Sequence, residues 1–474
     1  MTAKPKTRFN YLRWFVADTS LTLGGALRVF AIPALVVIAT GSEAKAGVIQ
    51  SVAMLISGAL MLFGGVLVDH VERRKLVMIQ TLSGVAIVGG ATAWAWFYGL
   101  SFWLLLVLGV LMAIRGGLLS TASDALLRDV VPAKELPRRM AINEGRDAAV
   151  ELSGGPIAGA LVTWNWIATF AAEIALNALA LLAALGIRPL PEVDDAAADA
   201  SETDAAPTNA GTDDAAADAS ETEAAPSASA DAEGDAPKGD AAEDEAAAEQ
   251  AAREKRRPIS TALAGFKVMF GDALLRRVYV LSVLFFPLIN GFLLYLLLNT
   301  LKSGKLPISA SLFNSATAVG VLAGSVLATK LVDRVPTGKL VAATFLVPVP
   351  LALAVTLVPW YWAKLALLVP LLFLLPSGNA AFGGFVMTII PKNLLGRTFA
   401  ATGLGGAAFA PLVFLGLGLS LEHLGATATG LILTAALALV ASASLTSRDL
   451  LSLPVPEKWG DYIKERGLTP AANK

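Results

Sequence analysis

Apolar residues run along this chain in long blocks of about twenty, rather than in alternation or in narrow stripes. A bilayer core about 30 Å thick is crossed by roughly 20 helical residues. The blocks therefore predict spans at 15–40, 46–68, 76–97, 101–123, 146–164 and 166–187, and after a polar break at 278–299, 309–331, 340–359, 365–389, 399–420 and 425–446. Lipid offers backbone groups no hydrogen bonds, so spans are helices or closed barrels, and continuous apolar blocks select helices. The expected fold class is an all-α membrane protein with 12 transmembrane helices in two pseudo-symmetric six-helix bundles. The break repeats Ala, Asp, Glu, Ser, Pro and Gly without aromatic residues, and such a segment buries too little to offset its ordering entropy. The expected division is a first bundle at 1–190, a disordered acidic cytoplasmic linker at 191–258, a second bundle at 259–447 and a cytoplasmic tail at 448–474.

Composition narrows the chemistry. Among 474 residues, 55 % are hydrophobic and 16 % charged, with no Cys and two His. Thiol nucleophiles, disulfides and Cys-ligated metals are excluded, and a histidine-rich metal site nearly so. The net charge of −1 averages unlike parts: residues 191–254 hold 20 Asp and Glu against 2 Lys and Arg, which leaves the rest strongly basic. With the N-terminus placed inside, the inner loops and tails hold 21 Lys and Arg, the long connection and its flanks 9, and the outer loops 4 (Lys45, Lys302, Lys305 and Lys364). Basic residues mark the cytoplasmic side, so both termini are expected there, in a multi-pass protein of the plasma (inner) membrane. Trp94, Trp96, Trp103, Trp164, Trp166, Trp360 and Trp362 all fall at outer interfaces, where amphipathic rings are stable. No cleavage site follows the first block, so it is expected to be retained.

The two halves repeat. Leu67-Val68-Asp69 with Arg73-Arg74-Lys75 answers Leu331-Val332-Asp333-Arg334 with Lys339 at an offset of 264. Val131-Pro132, Leu136, Arg138 and Met140-Ala141 answer Ile390-Pro391, Leu395, Arg397 and Phe399-Ala400 at 259. Two parallel repeats related by an axis along the membrane normal follow. Gly65-Val66-Leu67-Val68-Asp69-His70-Val71-Glu72-Arg73-Arg74 resembles the loop 2–3 signature of the major facilitator superfamily at every position except His70 and Glu72. Gly155-Pro156-Ile157-Ala158-Gly159 resembles the core of its antiporter element, expected to kink the fifth span. The string from Asp129 through Leu136 resembles the drug and siderophore exporter branch. The resemblance implies a cytoplasmic gate. In it Gly65 permits close helix approach, Asp69 caps a helix start near Thr398, and Arg73 and Arg74 pair with Asp124 or Asp129. Asp333 and Arg334 form a degenerate second latch. The plainer alternative is an inside-positive loop that only fixes topology.

An ionisable group inside a span needs a partner, a cavity or a route to the interface. Spans 7–12 have no Asp or Glu in their interiors, so proton coupling is expected in the first half, at Asp18, Arg28, Arg115 and Glu151. Asp18 and Arg28 lie ten residues apart, about 15 Å along a helix, and cannot pair directly. Arg115 is the expected counter-charge for Asp18 or Glu151, with Glu144, Asp147 and Glu151 on one face of span 5. Glu144, Arg146 and Asp147 have blander readings as solvated or topology residues, and Glu173 as a structural or incidental group. The expected function is export of an amphipathic small molecule (drug, siderophore or similar) by proton antiport and alternating access. Alternatives are a facilitative or lipid transporter without proton coupling, and a non-transporting sensor or scaffold. No enzymatic constellation, nucleotide site, metal or cofactor is expected, with a proton as coupling ion. The expected partners are the amphipathic substrate and membrane lipids, with no nucleic acid, around a monomer.

Overall fold

The computed structural model describes residues 5–132, 135–188, 270–390 and 392–465, so the acidic segment predicted at 191–258 lies outside the described residues. Every regular element among the described residues is helical. The first half comprises α1 (Pro5–Thr40), α2 (Glu43–His70), α3 (Arg73–Tyr98), α4 (Phe102–Leu119), α5 (Ala122–Val130), α6 (Leu136–Trp164) and α7 (Trp166–Leu185). The second half comprises α8 (Ala273–Lys302), α9 (Pro307–Arg334), α10 (Thr337–Leu346), α11 (Pro348–Leu357), α12 (Tyr361–Leu371), α13 (Leu375–Ile389), α14 (Lys392–His423) and α15 (Ala426–Leu445). Among the described residues, eleven stretches are long and apolar enough to cross a membrane. The twelfth crossing is α6, 29 residues long, whose hydropathy is lowered by Glu144, Arg146, Asp147 and Glu151.

Helix boundaries follow local chemistry. Ser42, Ser101, Asn165 and Asp272 each accept a hydrogen bond from the first-turn amides of α2, α4, α7 and α8, which satisfies donors that have no intrahelical partner. Gly99 closes α3 at φ 77°, a conformation that a Cβ would strain. The turns at Ser42, at Gly99 to Ser101 and at Asn165 share one end of the bundle, called here the loop 1–2 face; Asp272 starts α8 at the opposite end, the terminal face.

Three predicted spans are interrupted. The block at 101–123 breaks at Ser120-Thr121 and resumes as α5. The block at 340–359 breaks before Pro348, and the block at 365–389 breaks between Pro370 and Pro376. Proline has no N–H to give the ladder, and apolar length is blind to such breaks. The carbonyls of Val369 and Phe373 lie against Gly320 and Gly324 of α9, where any Cβ would overlap them.

The predicted tail at 448–474 packs on the second bundle as far as residue 465. Leu450 and Leu453 are fully buried. Trp459 Nε1 donates to Thr337 Oγ1 at 3.1 Å, and the amides of Thr337 and Gly338 donate to Pro454 and Leu453 carbonyls, both at 3.2 Å. The tail thus supplies acceptors for the opening amides of α10.

The halves meet where α2 packs on α14 and α6 on α9. A shared apolar core runs between them through Phe30, Leu35, Phe285, Phe292 and Phe313. Trp94, Trp96, Trp103, Trp164, Trp360 and Trp362 are all more than half exposed near the loop 1–2 face, as an aromatic belt requires.

Candidate functional site

Between the halves lies a cavity of about 1090 Å³. Its walls come from the middle of α1 (Thr22, Ala26, Val29), α2 (Gln50, Met54), α6 (Asp147 to Gly155), α8 (Ser282 to Leu297), α9 (Asn314 to Val321) and α14 (Gly403 to Phe414). The break between α12 and α13 adds Leu372 and Leu375. Asp147 and Glu151, one turn apart on α6, are its charged lining residues; Lys, Arg and His are absent from the described lining. Asn290 Nδ2 donates to Phe286 O of its own helix at 2.8 Å, which leaves its carbonyl oxygen as an acceptor. Phe286 and Phe414 give aromatic surface. An enclosure of this kind suits a ligand with an apolar body and a positive group.

Of the four residues expected to carry coupling, Glu151 is the one on the cavity wall. Arg28 pairs with Glu173 of α7, whose side chain is 6 % exposed. Glu173, expected to be structural or incidental, is a buried ion-pair partner. Arg115 is not the counter-charge of Asp18 or Glu151. Its Nε donates to Gln80 O at 2.7 Å and its Nη2 to Asn177 Oδ1 at 2.6 Å, and Asn177 donates in turn to Glu173 O. The reason is rotational: Arg115 leaves α4 on the side of α3 and α7, away from α1 and α6. Asp18 instead takes Arg146 Nη2 on Oδ2 at 2.6 Å and the Ser123 hydroxyl on Oδ1. Arg146, read as a solvated group, is 8 % exposed, shared with Asp147 at 2.7 Å, and flanked by the Trp14 and Phe15 rings.

At the terminal face, Arg73 pairs with Asp129; Asp124, the other expected partner, is exposed in the first turn of α5. Among the described residues Arg74 makes no carboxylate pair. It donates to Leu185 O at 2.8 Å and, with Arg13 on Gly186 O, caps the carbonyl end of α7, where cations are favoured. Gly65 does not provide close approach, since a Cβ there would meet open space. That role belongs to Gly64, seated on Gly117 O and Leu118 O of α4. The side chains of Asp69 and Thr398 lie outside the described residues, so the expected cap between them does too. Asp333 and Arg334 are exposed at the end of α9. Pro156 lies within one continuous helix, and the Gly155 and Gly159 backbones abut Ser311 of α9, so this element joins the halves.

At the loop 1–2 face lie contacts that sequence reasoning missed. Lys302 of α8 pairs with the buried Glu43 of α2 at 3.2 Å. Glu422 of α14 accepts from Ser42 Oγ at 2.5 Å and from the Ala44 amide at 3.1 Å.

Comparisons with known proteins agree with this architecture. The family described as Major Facilitator Superfamily matches residues 19–416. The multidrug efflux pump Tap of Mycobacterium tuberculosis, and its counterpart in Mycobacterium bovis, is 32 % identical over 174 residues, which is 34 % of this chain and 41 % of the pump. The chain thus matches less than half of that relative's length. Among solved structures, a D-xylose-proton symporter superposes with a TM-score of 0.63 at 15 % identity, over 96 % of this chain and 99 % of that one. A bacterial homologue of the iron transporter ferroportin, in an inward-facing state, gives 0.62 at 12 % identity over 95 % and 100 %. At such identities the likeness is one of fold.

Proposed function

The chain belongs to the Major Facilitator Superfamily and is an integral multi-pass membrane transporter, and on that premise we propose that it exports a cationic amphipathic small molecule by proton antiport. The observation that carries this reading is the cavity wall: Asp147 and Glu151 are its charged residues, set among aromatic and aliphatic surface. A sugar or phosphate would call for denser polar rings or for cations. Resemblance to a multidrug efflux pump over part of the chain supports the direction of transport.

Placing the lysine- and arginine-rich terminal face in the cytoplasm makes the cavity a compartment loaded from inside. A carboxylate that holds either a cationic substrate or a proton exchanges one for the other, and rocking of the halves exposes it alternately to the two sides. Glu151 is the group assigned to this exchange, with Asp147 held beside it by Arg146. The first-half ion pairs away from the cavity keep the bundle rigid around it.

The test is uptake of ethidium, a fluorescent cationic amphiphile, into proteoliposomes with and without an imposed pH gradient. Gradient-driven accumulation that falls at least about tenfold in Glu151→Gln, a loss of about 1.4 kcal/mol of coupling, supports the proposal. Transport that survives collapse of the pH gradient rejects antiport in favour of facilitation.

A further inference from the structure

The sequence directs attention to the terminal face for gating, yet among the described residues the charged links between halves lie toward the other end. Glu43 opens α2 and is 1 % exposed. Its partner Lys302 closes α8 in the opposite half, with its side chain 48 % exposed. Beside them Glu422, from the second half, caps the first turn of a first-half helix through Ser42 Oγ and the Ala44 amide. Gly47 and Gly418 let the two backbones touch, and a Cβ on Gly47 would lie 3.1 Å from Gly418 Cα. Deeper in the bundle Ser51 Oγ donates to Pro411 O, and at the helix ends the exposed Ile308 amide donates to Thr163 Oγ1. These links cross the boundary between halves on the loop 1–2 side of the cavity.

We propose that Glu43, Lys302 and Glu422 form the latch that holds the loop 1–2 face shut, and that opening of this face exchanges the Glu43–Lys302 pair and the Glu422 cap for hydration. The two links are unequal. A buried carboxylate stripped of its cation is strongly destabilised in the closed arrangement. Lys302, half exposed, loses little when Glu43 is neutralised. The Glu422 cap is exposed and screened, so it contributes less. Loss of Lys302 should therefore open the face far more than loss of the Glu43 charge, an asymmetry that a purely packed interface would not show.

The experiment needs no substrate, so it stands or falls apart from the transport reading. The chain has no Cys, and Tyr98→Cys with Trp360→Cys places spin labels on exposed positions, 74 % and 75 % accessible, in the two halves at this face. Electron–electron distance measurements on the full purified chain should give one short component. Lys302→Ala should add a longer component by shifting the equilibrium at least about tenfold. Glu422→Ala should shift it less, and Glu43→Gln least. Exchange of the charges, Glu43→Lys with Lys302→Glu, should restore the short distance. Should Lys302→Ala fail to fold, Lys302→Met keeps the stem volume and removes the charge. An unchanged distribution in the Lys302 variants, or a longer component that the exchange does not reverse, overturns the latch.

Discussion

The two halves repeat one architecture with opposite chemistry inside. In the first, Arg28 with Glu173, Arg115 with Gln80 and Asn177, and Arg146 with Asp18 tie α1, α3, α4, α6 and α7 through charged groups in the bundle. In the second, span interiors carry no Asp or Glu. Hydroxyls such as Thr300, Thr356 and Thr434 bond back to carbonyls of their own helices. Breaks at Pro348 and between Pro370 and Pro376 take the place of charges. Directional pairs fix helix rotation and fail abruptly when a partner is lost. Backbone breaks received by glycine yield to bending and resist added volume. The first half is thus built to hold titratable groups in register, and the second to flex beside the shared cavity.

This contrast can be broken by substitution, and four outcomes follow in descending size. Glu173→Ala leaves Arg28 in the bundle without its carboxylate and should cost about 3–5 kcal/mol, seen as a lowered thermal midpoint of the detergent-solubilised protein. A stability equal to the parent would mean that Arg28 reaches the interface unaided. Gly324→Ala in the second half forces a methyl onto Phe373 O and should cost about 1–3 kcal/mol by the same measurement. Wild-type behaviour there would show that the α12–α13 break moves aside freely.

Smaller effects are expected where side chains meet water. Arg73→Ala removes a pair whose side chains are 35 % and 30 % exposed and should cost about 0.2–1 kcal/mol, with the double variant Arg73→Ala, Asp129→Ala reporting the coupling. A coupling well above that range would make this pair more than a surface tie. Glu151→Gln, on the open cavity wall, should leave the thermal midpoint within about 0.5 kcal/mol of the parent while pH-driven ethidium transport is lost. Parallel loss of stability and transport would demote Glu151 to a structural group.

Several features were legible in the chain alone. Apolar block length predicted the number of crossings, and the repeat predicted two halves. The glycine at the loop 2–3 signature was assigned one residue too far along, and consecutive helical residues point about 100° apart. That single step separates Gly64, packed on α4, from Gly65, which faces open space. The same geometry misdirected Arg115: its depth in span 4 was right, but its direction around α4 sent it to Asn177 rather than to Asp18. The Glu43–Lys302 pair was hidden for another reason, since Glu43 sits at a helix end where a charge looks solvated until the opposite half covers it.

By itself the sequence determined that this protein crosses a membrane as helices, that its halves are duplicated, and that its membrane-buried carboxylates belong to the first of them. These are sums over local composition, and burial in lipid depends on little else. The tertiary structure alone decided which cation meets which carboxylate, which helices break, and which face is tied shut. Those outcomes depend on the rotation and approach of helices distant in the chain, where a shift of one residue redirects every side chain.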